Sequence, residues 1–293
     1  MSKRRIFLTG GSGYIGRNIM EQLGEKYQIF APSHDELDLT DAESVHHYFT
    51  SHPVDVLIHT ANVGGNLAEK DFPNSVAYNL RIFFNLVNNN QYFKKFIYLG
   101  SGTQYGKQLP IVRVKESALR KRIPTDEFGL YKYTCARYIE DSNLPLLSLV
   151  LFGIYGKYEP YQFRFISNAL CRALFDMPIT IRQNVFFDYL WVDDFVRILD
   201  YFLTHTPTYR TYNIGTGKRI DLVNIAKRVR AVTGKNLPIR IAKTGLKEEY
   251  TCDNSRLMEE MPDFQFTDFD ETLRDLYIYY QKRKNTLDKA ALI

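Results

Sequence analysis

The 293-residue sequence has only three cysteines, one tryptophan and no long apolar run. Cys135, Cys171 and Cys252 lie far apart without paired spacing, which argues against a disulfide framework or a zinc site and favours a reducing compartment. The longest apolar stretch, at residues 146–152, has only the length of a strand, which argues against a membrane span. The N-terminus has too short an apolar run for a signal peptide. We therefore predict a cytoplasmic protein that contacts no membrane.

An excess of charge of one sign is also lacking, since 38 Lys and Arg residues stand against 33 Asp and Glu residues. The basic cluster at residues 113–122 is interpreted as a solvated loop. Because no basic face interleaved with stacking aromatics is evident, the sequence predicts no nucleic-acid partner. With 45% hydrophobic residues, the chain is long enough to bury a sizeable core.

What the sequence does contain is an alternation of strand-length apolar runs and amphipathic segments. The predicted strands are "RRIFLTG", "YQIFAP", "VDVLIHTA", "KFIYLGS" and "LPLLSLVLFG". The predicted helices cover residues 13–23, a segment that opens with a capping box at residues 40–43 and ends at Phe49, and residues 72–90 and 127–143. Strands that are apolar throughout predict an α/β fold, a Rossmann-type doubly wound parallel sheet.

The alternation becomes irregular after Gly156. We expect residues 1–156, with about 186–215, to form a dinucleotide-binding domain. Residues 157–185 and 216–293 are expected to form a smaller lobe, largely C-terminal, that closes over the carboxyl edge of the sheet and binds substrate.

A glycine-rich turn follows the first predicted strand. Gly10 permits a tight turn, Gly13 lets the backbone approach a pyrophosphate, and Gly16 lets helix and strand pack closely. The helix that begins here offers unpaired amides and the positive end of its dipole to phosphates. This strand-loop-helix context indicates dinucleotide binding.

The second predicted strand lacks the acid that commonly binds the ribose of NAD, because residues 31–32 are Ala-Pro. Ser33 and His34 are instead suited to a 2′-phosphate. Asp35 and Glu36 are close enough to reach back to the ribose. The pattern favours NADP(H) over NAD(H) and leaves both open.

Further motifs are "HTANVGGN", "LGSGTQYG", the Phe128-xxx-Lys132 pair, "FDYLWVDD" and "YNIGTG". Together with the glycine turn, they resemble the extended short-chain dehydrogenase/reductase family that acts on nucleotide-diphosphate sugars. The resemblance spans nearly the whole chain. Within the family, "TANVGGNLAEKDFP" and "YLGSGTQYG" look most like the GDP-L-fucose synthases. "HDELDLTDAESV" is similar to those enzymes and to the dTDP-4-dehydrorhamnose reductases.

The resemblance implies a role for each matching residue. Ser101 would hydrogen-bond the C4 oxygen of the sugar. Lys132 would hold the nicotinamide ribose and lower the pKa of the tyrosine that the family carries at position 128. The residues implied to bind the cofactor are Gly10, Gly13, Tyr14, Ile15, Gly16, Ser33, His34, Asp38, Leu39, Ala61 and Lys132. Those implied to bind the nucleotide-diphosphate sugar are Val63, Gly64, Gly65, Ser101, Gly102, Thr103 and Gly153.

The sequence departs from the family at the catalytic positions. Phe128 replaces the tyrosine, and Thr103 stands where the fucose synthases carry a catalytic cysteine. No histidine lies between His59 and His205, so the second acid of an epimerising site is also absent. Gly102 and Thr103 stand where dehydratases carry an acidic pair. The pattern therefore favours a plain NAD(P)H-dependent reduction of a 4-keto (deoxy)sugar at C4, as in surface-polysaccharide sugar biosynthesis. The alternatives are a 4-epimerase and a catalytically silent binding protein.

Phe128 leaves three interpretations open. The chain is a natural enzyme that takes its proton from water or Ser101, a binding protein that lost the chemistry, or an engineered inactive variant with one oxygen deleted. The otherwise complete site favours the third.

The family resemblance also implies a homodimer, in which the helices at 72–90 and 127–143 pair across a two-fold axis as a four-helix bundle. Apolar residues beyond a single stripe are compatible with a second buried face on these helices. They are Phe83, Phe84, Val87, Tyr131, Tyr138 and Ile139.

Overall fold

A computed structural model describes residues 3–64 and 74–292 of the chain. The strands are β1 (Arg5–Thr9), β2 (Gln28–Phe30), β3 (Val56–His59), β4 (Lys95–Ser101), β5 (Ile111–Val114), β6 (Leu146–Leu151), β7 (Gly153–Tyr155), β8 (Ile179–Asn184), β9 (Phe186–Phe187), β10 (Tyr189–Trp191), β11 (Thr211–Ile214), β12 (Ile220–Asp221), β13 (Ile239–Leu246) and β14 (Tyr250–Cys252). The α-helices are α1 (Tyr14–Leu23), α2 (Ala42–Ser51), α3 (Ser75–Val87), α4 (Glu127–Asp141), α5 (Phe165–Leu174), α6 (Val192–Thr204), α7 (Leu222–Thr233), α8 (Ser255–Glu260) and α9 (Phe269–Lys282).

The central sheet is parallel and is covered on both faces. Its order is β11-β6-β4-β3-β1-β2, and Thr9 pairs with His59, which in turn pairs with Tyr98. Ile6 packs with α1 and α6 on one face, while its neighbour Phe7 packs with α2, α3 and α4 on the other. Burial of successive residues on opposite faces explains why the strands are apolar throughout. The predicted α/β, doubly wound fold is confirmed.

A second hydrophobic core lies beside the sheet. It unites α5, α7 and α9 with β8, and its centre includes Leu170, Ile225 and Leu273. Residues of α6 and β11 belong to the core of the main sheet, and so does Leu257 of α8. The chain therefore returns to the main sheet after position 216, and the division into two lobes at the stated boundaries stays a prediction.

Some local expectations were wrong. The cap of α2 is Asp41, whose carboxylate accepts a hydrogen bond from the Glu43 amide, because the Thr40 hydroxyl is donated to Asp38. The predicted helix at 127–143 ends at Asp141. The predicted start of the third helix, at residue 72, lies outside the described residues, and the described part of α3 begins at Ser75.

The apolar surface that α3 and α4 offer to a second chain is smaller than the sequence suggested. Phe83, Val87, Tyr131 and Ile139 are fully buried within this chain and are not available to a second one. Phe84 and Tyr138 are half-buried, with ring centres 5.1 Å apart. None of the helices within residues 3–64 and 74–292 is both long enough and apolar enough to cross a membrane.

Candidate active site

The glycine turn joins β1 to α1 at the carboxyl edge of the sheet. Gly10 has φ +69°, and a Cβ there would lie 2.9 Å from the Ala61 amide nitrogen. A Cβ on Gly16 would lie 2.1 Å from the Gly10 carbonyl oxygen. Gly13 caps α1 and is exposed, and a Cβ there would meet one neighbour, the Gly10 carbonyl oxygen at 3.3 Å. Glycine is thus required for packing at Gly10 and Gly16, and the exposed Gly13 leaves room for a ligand.

The amides of Tyr14 and Ile15 lie in the first turn of α1, as a phosphate site requires. Their side chains point elsewhere and pack against the core of the main sheet. The Tyr14 hydroxyl is buried and has no hydrogen-bond partner among the residues that the structure describes, and its pKa is raised by burial and by the Glu159 carboxylate. We therefore expect Tyr14 and Ile15 to bind the cofactor through their backbone amides and not through their side chains.

The loop after β2 forms its own network. Ser33 and His34 are exposed, as expected of residues that meet a cofactor. The Glu36 carboxylate accepts hydrogen bonds from the Ser33 amide at 2.7 Å and the Ser33 hydroxyl at 2.9 Å, and these bonds lower the pKa of Glu36. The Ser33 hydroxyl is therefore already engaged by an acid. Asp38 is likewise engaged, because it accepts from the Thr40 amide and hydroxyl.

The loop after β3 lies against the glycine turn. The Ala61 amide donates to the Thr9 hydroxyl at 3.1 Å, and Val63 exchanges two hydrogen bonds with the Asn79 side chain. Gly64 is buried with φ +75°. Gly65 lies outside the described residues. Leu39, from the preceding loop, packs its side chain among the α2 and α3 residues, and its carbonyl accepts from Asn85.

Ser101 is the last residue of β4 and caps the short 3₁₀ helix Gly102–Tyr105. Its hydroxyl oxygen accepts a hydrogen bond from the Thr103 hydroxyl at 3.1 Å. Because β1, β3 and β4 are adjacent parallel strands, their carboxyl ends bring Ser101 to the same edge as the glycine turn. A ligand bound at the turn and a group bound at Ser101 are therefore neighbours.

Phe128 and Lys132 lie one turn apart on α4. The Lys132 ammonium is buried and donates to the Leu99 carbonyl at 2.7 Å. It lies 4.8 Å from the ring centres of Tyr98 and Tyr131 and 5.6 Å from that of Phe128. Such rings stabilise a cation through their faces, but they offer it no counter-charge.

Burial lowers the pKa of Lys132 to about 7, which makes its charge sensitive to any anion that approaches. His59 is also buried, and burial together with the Lys132 charge lowers its pKa to about 3. Its ring is hydrogen-bonded to the Thr9 hydroxyl at 2.8 Å. His59 is therefore neutral near pH 7 and is a packing residue of the sheet.

A cavity of about 450 Å³ opens beside the end of β4, and its lining includes residues of the second hydrophobic core. Thr103 and Gly153, both expected at the substrate site, line it. A Cβ on Gly153 would lie 2.5 Å from the Asp188 carbonyl oxygen, so a larger residue would not fit here without a backbone shift. The sequence did not indicate several other residues that line this cavity. They are Lys107, Glu159, Arg164, Lys247 and Tyr250.

Gly102 shows how closely one of these residues, Tyr250, approaches the end of β4. A Cβ on Gly102 would lie 2.5 Å from the Tyr250 hydroxyl and 2.7 Å from the Phe152 ring. The phenol of Tyr250 thus packs on the backbone next to Ser101. No local pattern in the sequence predicts this, because Tyr250 lies about 150 residues farther along the chain.

Comparison with known proteins identifies the family. The sequence model of the NAD dependent epimerase/dehydratase family matches residues 6–215. The chain belongs to this family. The resemblance read from the motifs is thereby confirmed, and a nicotinamide dinucleotide fits the open glycine turn.

Family members of several activities are similar to the chain. GDP-L-fucose synthase of Escherichia coli K12 is 25% identical over 265 residues, which cover 80% of this chain and 83% of that protein. GDP-L-fucose synthase 1 of Arabidopsis thaliana is 27% identical over 253 residues, or 78% of each chain. The structure of a GDP-mannoheptose C4 reductase from Campylobacter jejuni with NADP bound superposes with a TM-score of 0.82 at 18% identity, covering 96% of this chain and 99% of that one. This likeness shows the shared fold.

Proposed function

We propose that the protein reduces a nucleotide-diphosphate-linked 4-keto (deoxy)sugar at C4, in the biosynthesis of surface-polysaccharide sugars. The observation that carries this proposal is the position of Ser101, at the end of β4 and beside the glycine turn. The names of similar proteins support it, since they include GDP-L-fucose synthases, a GDP-L-colitose synthase and a dTDP-4-dehydro-6-deoxyglucose reductase. A bound NAD(P)H supplies the hydride.

Ser101 binds the C4 carbonyl oxygen in this proposal. Its hydroxyl oxygen accepts a hydrogen bond from Thr103, so its own proton remains to be donated to the carbonyl. That bond polarises the carbonyl and fixes the face of C4 that is presented to the cofactor. Lys132 binds the ribose next to the nicotinamide, at the same carboxyl edge of the sheet as Ser101.

The cavity beside Ser101 suits an anionic nucleotide. Its lining includes three basic residues, Arg164, Lys107 and Lys247, and three acidic ones, Glu159, Glu248 and Glu249, so a diphosphate would have to lie on the basic side chains. Phe152 and Phe187 supply apolar walls. Cationic side chains attract a diphosphate, and aromatic walls accept a base or a sugar face. The volume of about 450 Å³ accommodates a ligand of this class.

We propose NADP(H) as the cofactor because no acid ends β2. Glu36 opposes this choice as long as its carboxylate is bonded to Ser33. Since Glu36 is fully exposed, its displacement by a 2′-phosphate meets little resistance. Glu36→Gln is therefore expected to increase the preference for NADPH over NADH.

The test incubates the protein with NADPH or NADH and a panel of GDP-, dTDP- and UDP-linked 4-keto-6-deoxyhexoses. We expect stoichiometric loss of absorbance at the reduced nicotinamide band and formation of the 4-hydroxy product. Interconversion of sugars without net loss of the band would instead indicate a 4-epimerase. Tight binding with neither change would indicate a silent binding protein, and a clear preference for NADH would refute the cofactor proposal.

A further inference from the structure

The proposed reduction needs a proton for the C4 oxygen, and Phe128 has none to give. Ser101 cannot be the net source of the proton. Its alkoxide would be about as strong a base as the C4 alkoxide that it would protonate, so the transfer would gain nothing. The acid must be a hydroxyl in contact with Ser101 that opens to the same cavity. Such a hydroxyl must lie in the part of the cavity wall that faces the end of β4.

Several hydroxyls near the strand end do not meet the requirement. Tyr105 is buried and donates to the Asn213 side chain at 2.7 Å. Tyr131 is fully buried among the residues of α3 and α4 and does not line the cavity. Thr103 is bonded to Ser101 but is no more acidic than serine. These groups are structural or too weakly acidic.

Tyr250 meets the requirement. Its hydroxyl lies near that of Ser101 and packs against the backbone of Gly102, the next residue along the chain. The ring is held between Phe152, with centres 5.1 Å apart, and Phe187, with centres 6.0 Å apart. Its backbone is paired with Ile111 and Phe187 on two strands. The phenol therefore has a fixed position in the cavity wall, on a rigid element.

The surroundings of Tyr250 keep its proton in place until a strong base forms. Burial raises the pKa of Tyr250, while the nearby Ser101 hydroxyl and the positive charge of Arg164 favour the phenolate. The phenol is thus protonated near pH 7 and ready to donate. Arg164 lines the same cavity and stabilises the anion that remains.

We propose that Tyr250 is the proton donor of the reduction, replacing the missing hydroxyl at position 128. This inference rests on the proposed function. As the hydride of the reduced nicotinamide adds to C4, the carbonyl π-electrons move to the oxygen, and that oxygen takes the Tyr250 proton directly or through the Ser101 hydroxyl. The products are the C4 alcohol, the oxidised nicotinamide and the Tyr250 phenolate, which regains a proton from water in the cavity.

The test is a double-mutant cycle on Tyr250→Phe and Phe128→Tyr, with NADPH and the 4-keto sugar nucleotide panel. Tyr250→Phe keeps both ring contacts and should lower kcat by roughly 10²–10⁴-fold, the usual contribution of a positioned acid, with KM little changed. In the Phe128→Tyr background, where a second acid is present, the same change should cost less than about tenfold. Tyr133→Phe is the matched control, because it removes a phenol oxygen from the same hydrophobic cluster outside the cavity.

The outcomes separate this inference from the proposed function. If Tyr250→Phe turns over as fast as the starting protein, the inference fails and the reductase stands. If the starting protein is inactive and Phe128→Tyr is active, the scaffold is a reductase without an acid, and Tyr250 has no catalytic role. If none of the variants consumes NADPH, the proposed function fails as well. Melting temperatures of all variants verify that each one is folded.

Discussion

At the scale of single residues, the most unusual charge in the cavity wall is Glu159. It is 4% exposed, and its Oε1 accepts a hydrogen bond from the Ser167 hydroxyl, while its Oε2 has no partner among the described residues. Burial raises the pKa of Glu159 to about 7, despite that hydrogen bond and the positive charge of Arg164. A carboxylate that lacks one hydrogen bond in a buried position is costly when ionised.

The raised pKa of Glu159 makes stability depend on pH. In the unfolded chain this group titrates near 4.5, so the folded form binds the proton more tightly between pH 4.5 and about 7. The contribution of protonated Glu159 to the free energy of unfolding is therefore fully present below pH 4.5. It is lost as the pH rises through about 7, and the total loss is roughly 3 kcal/mol. Glu159→Gln should be close to the starting protein in stability at pH 5 and more stable by a few kcal/mol at pH 8.

Urea unfolding without ligand, at pH 5, 6, 7 and 8, measures this difference. Glu25→Gln, which changes an exposed carboxylate, should leave the pH dependence of unfolding as it was. A stability difference between Glu159→Gln and the starting protein that is the same at all four pH values would show that Glu159 is not the group responsible.

At the scale of secondary-structure elements, the sequence was most informative where function depends on local backbone geometry. The turn from Gly10 to Gly16 was predictable because its spacing and its position between strand and helix are local. The position of Ser101 at a strand end was predictable because the end of a buried parallel strand is visible as the end of an apolar run, whereas its role is implied only by the family motif. Lys132 was predictable from its motif, although its three aromatic neighbours were not.

The remaining part of the site was not predictable for a physical reason. Tyr250 reaches Ser101 only because β14 pairs with β5 and β9, and such long-range pairing leaves no periodic signal in so short a strand. Asp41 in place of Thr40 as the cap of α2 is a smaller instance, since Asp38 competes for the Thr40 hydroxyl. Tyr250 was missed because its strand pairs with segments far away in the sequence, and the cap of α2 was wrong because two side chains compete for one hydroxyl. A local pattern in the sequence contains neither kind of information.

The glycine turn gives a prediction at this scale. Gly13 has φ −74°, and its Cβ would meet only the Gly10 carbonyl oxygen at 3.3 Å, so Gly13→Ala should fold once that carbonyl shifts by a few tenths of an ångström. The added methyl fills the space left for a pyrophosphate. We expect a dissociation constant for NADPH raised by at least about tenfold, or about 1.4 kcal/mol, with an unchanged melting temperature.

Calorimetric titration with NADPH and a thermal melt of the free protein provide the two readouts. Gly16→Ala is the contrasting variant, because its Cβ would lie 2.1 Å from the Gly10 carbonyl oxygen and should lower both affinity and melting temperature. Unaltered NADPH affinity in Gly13→Ala would mean that the dinucleotide does not lie on this turn.

At the scale of the whole molecule, α3 and α4 form the outer layer on one face of the sheet. Val76, Leu80 and Phe84 recur every four residues on α3, and each is half-buried and packed against the core beneath. A helix in contact only with solvent on its outer side usually carries polar residues there. Phe84 and Tyr138 are the residues of the expected dimer surface that remain after Phe83, Val87, Tyr131 and Ile139 are assigned to the core, and Val76 and Leu80 continue the apolar stripe along α3.

The last prediction concerns assembly across this face. Ala77 is exposed and lies seven residues before Phe84, hence on nearly the same side of α3. If two chains pair through α3 and α4, light scattering should give twice the 34.3 kDa of one chain, and Ala77→Arg should reduce it to a monomer without a change in melting temperature. Ile278→Arg, at a residue of α9 that is 45% exposed, should remain a dimer, because it places the same charge on a different surface. A monomer at micromolar concentration before any substitution would refute the four-helix bundle, while a dimer insensitive to Ala77→Arg would locate the interface elsewhere.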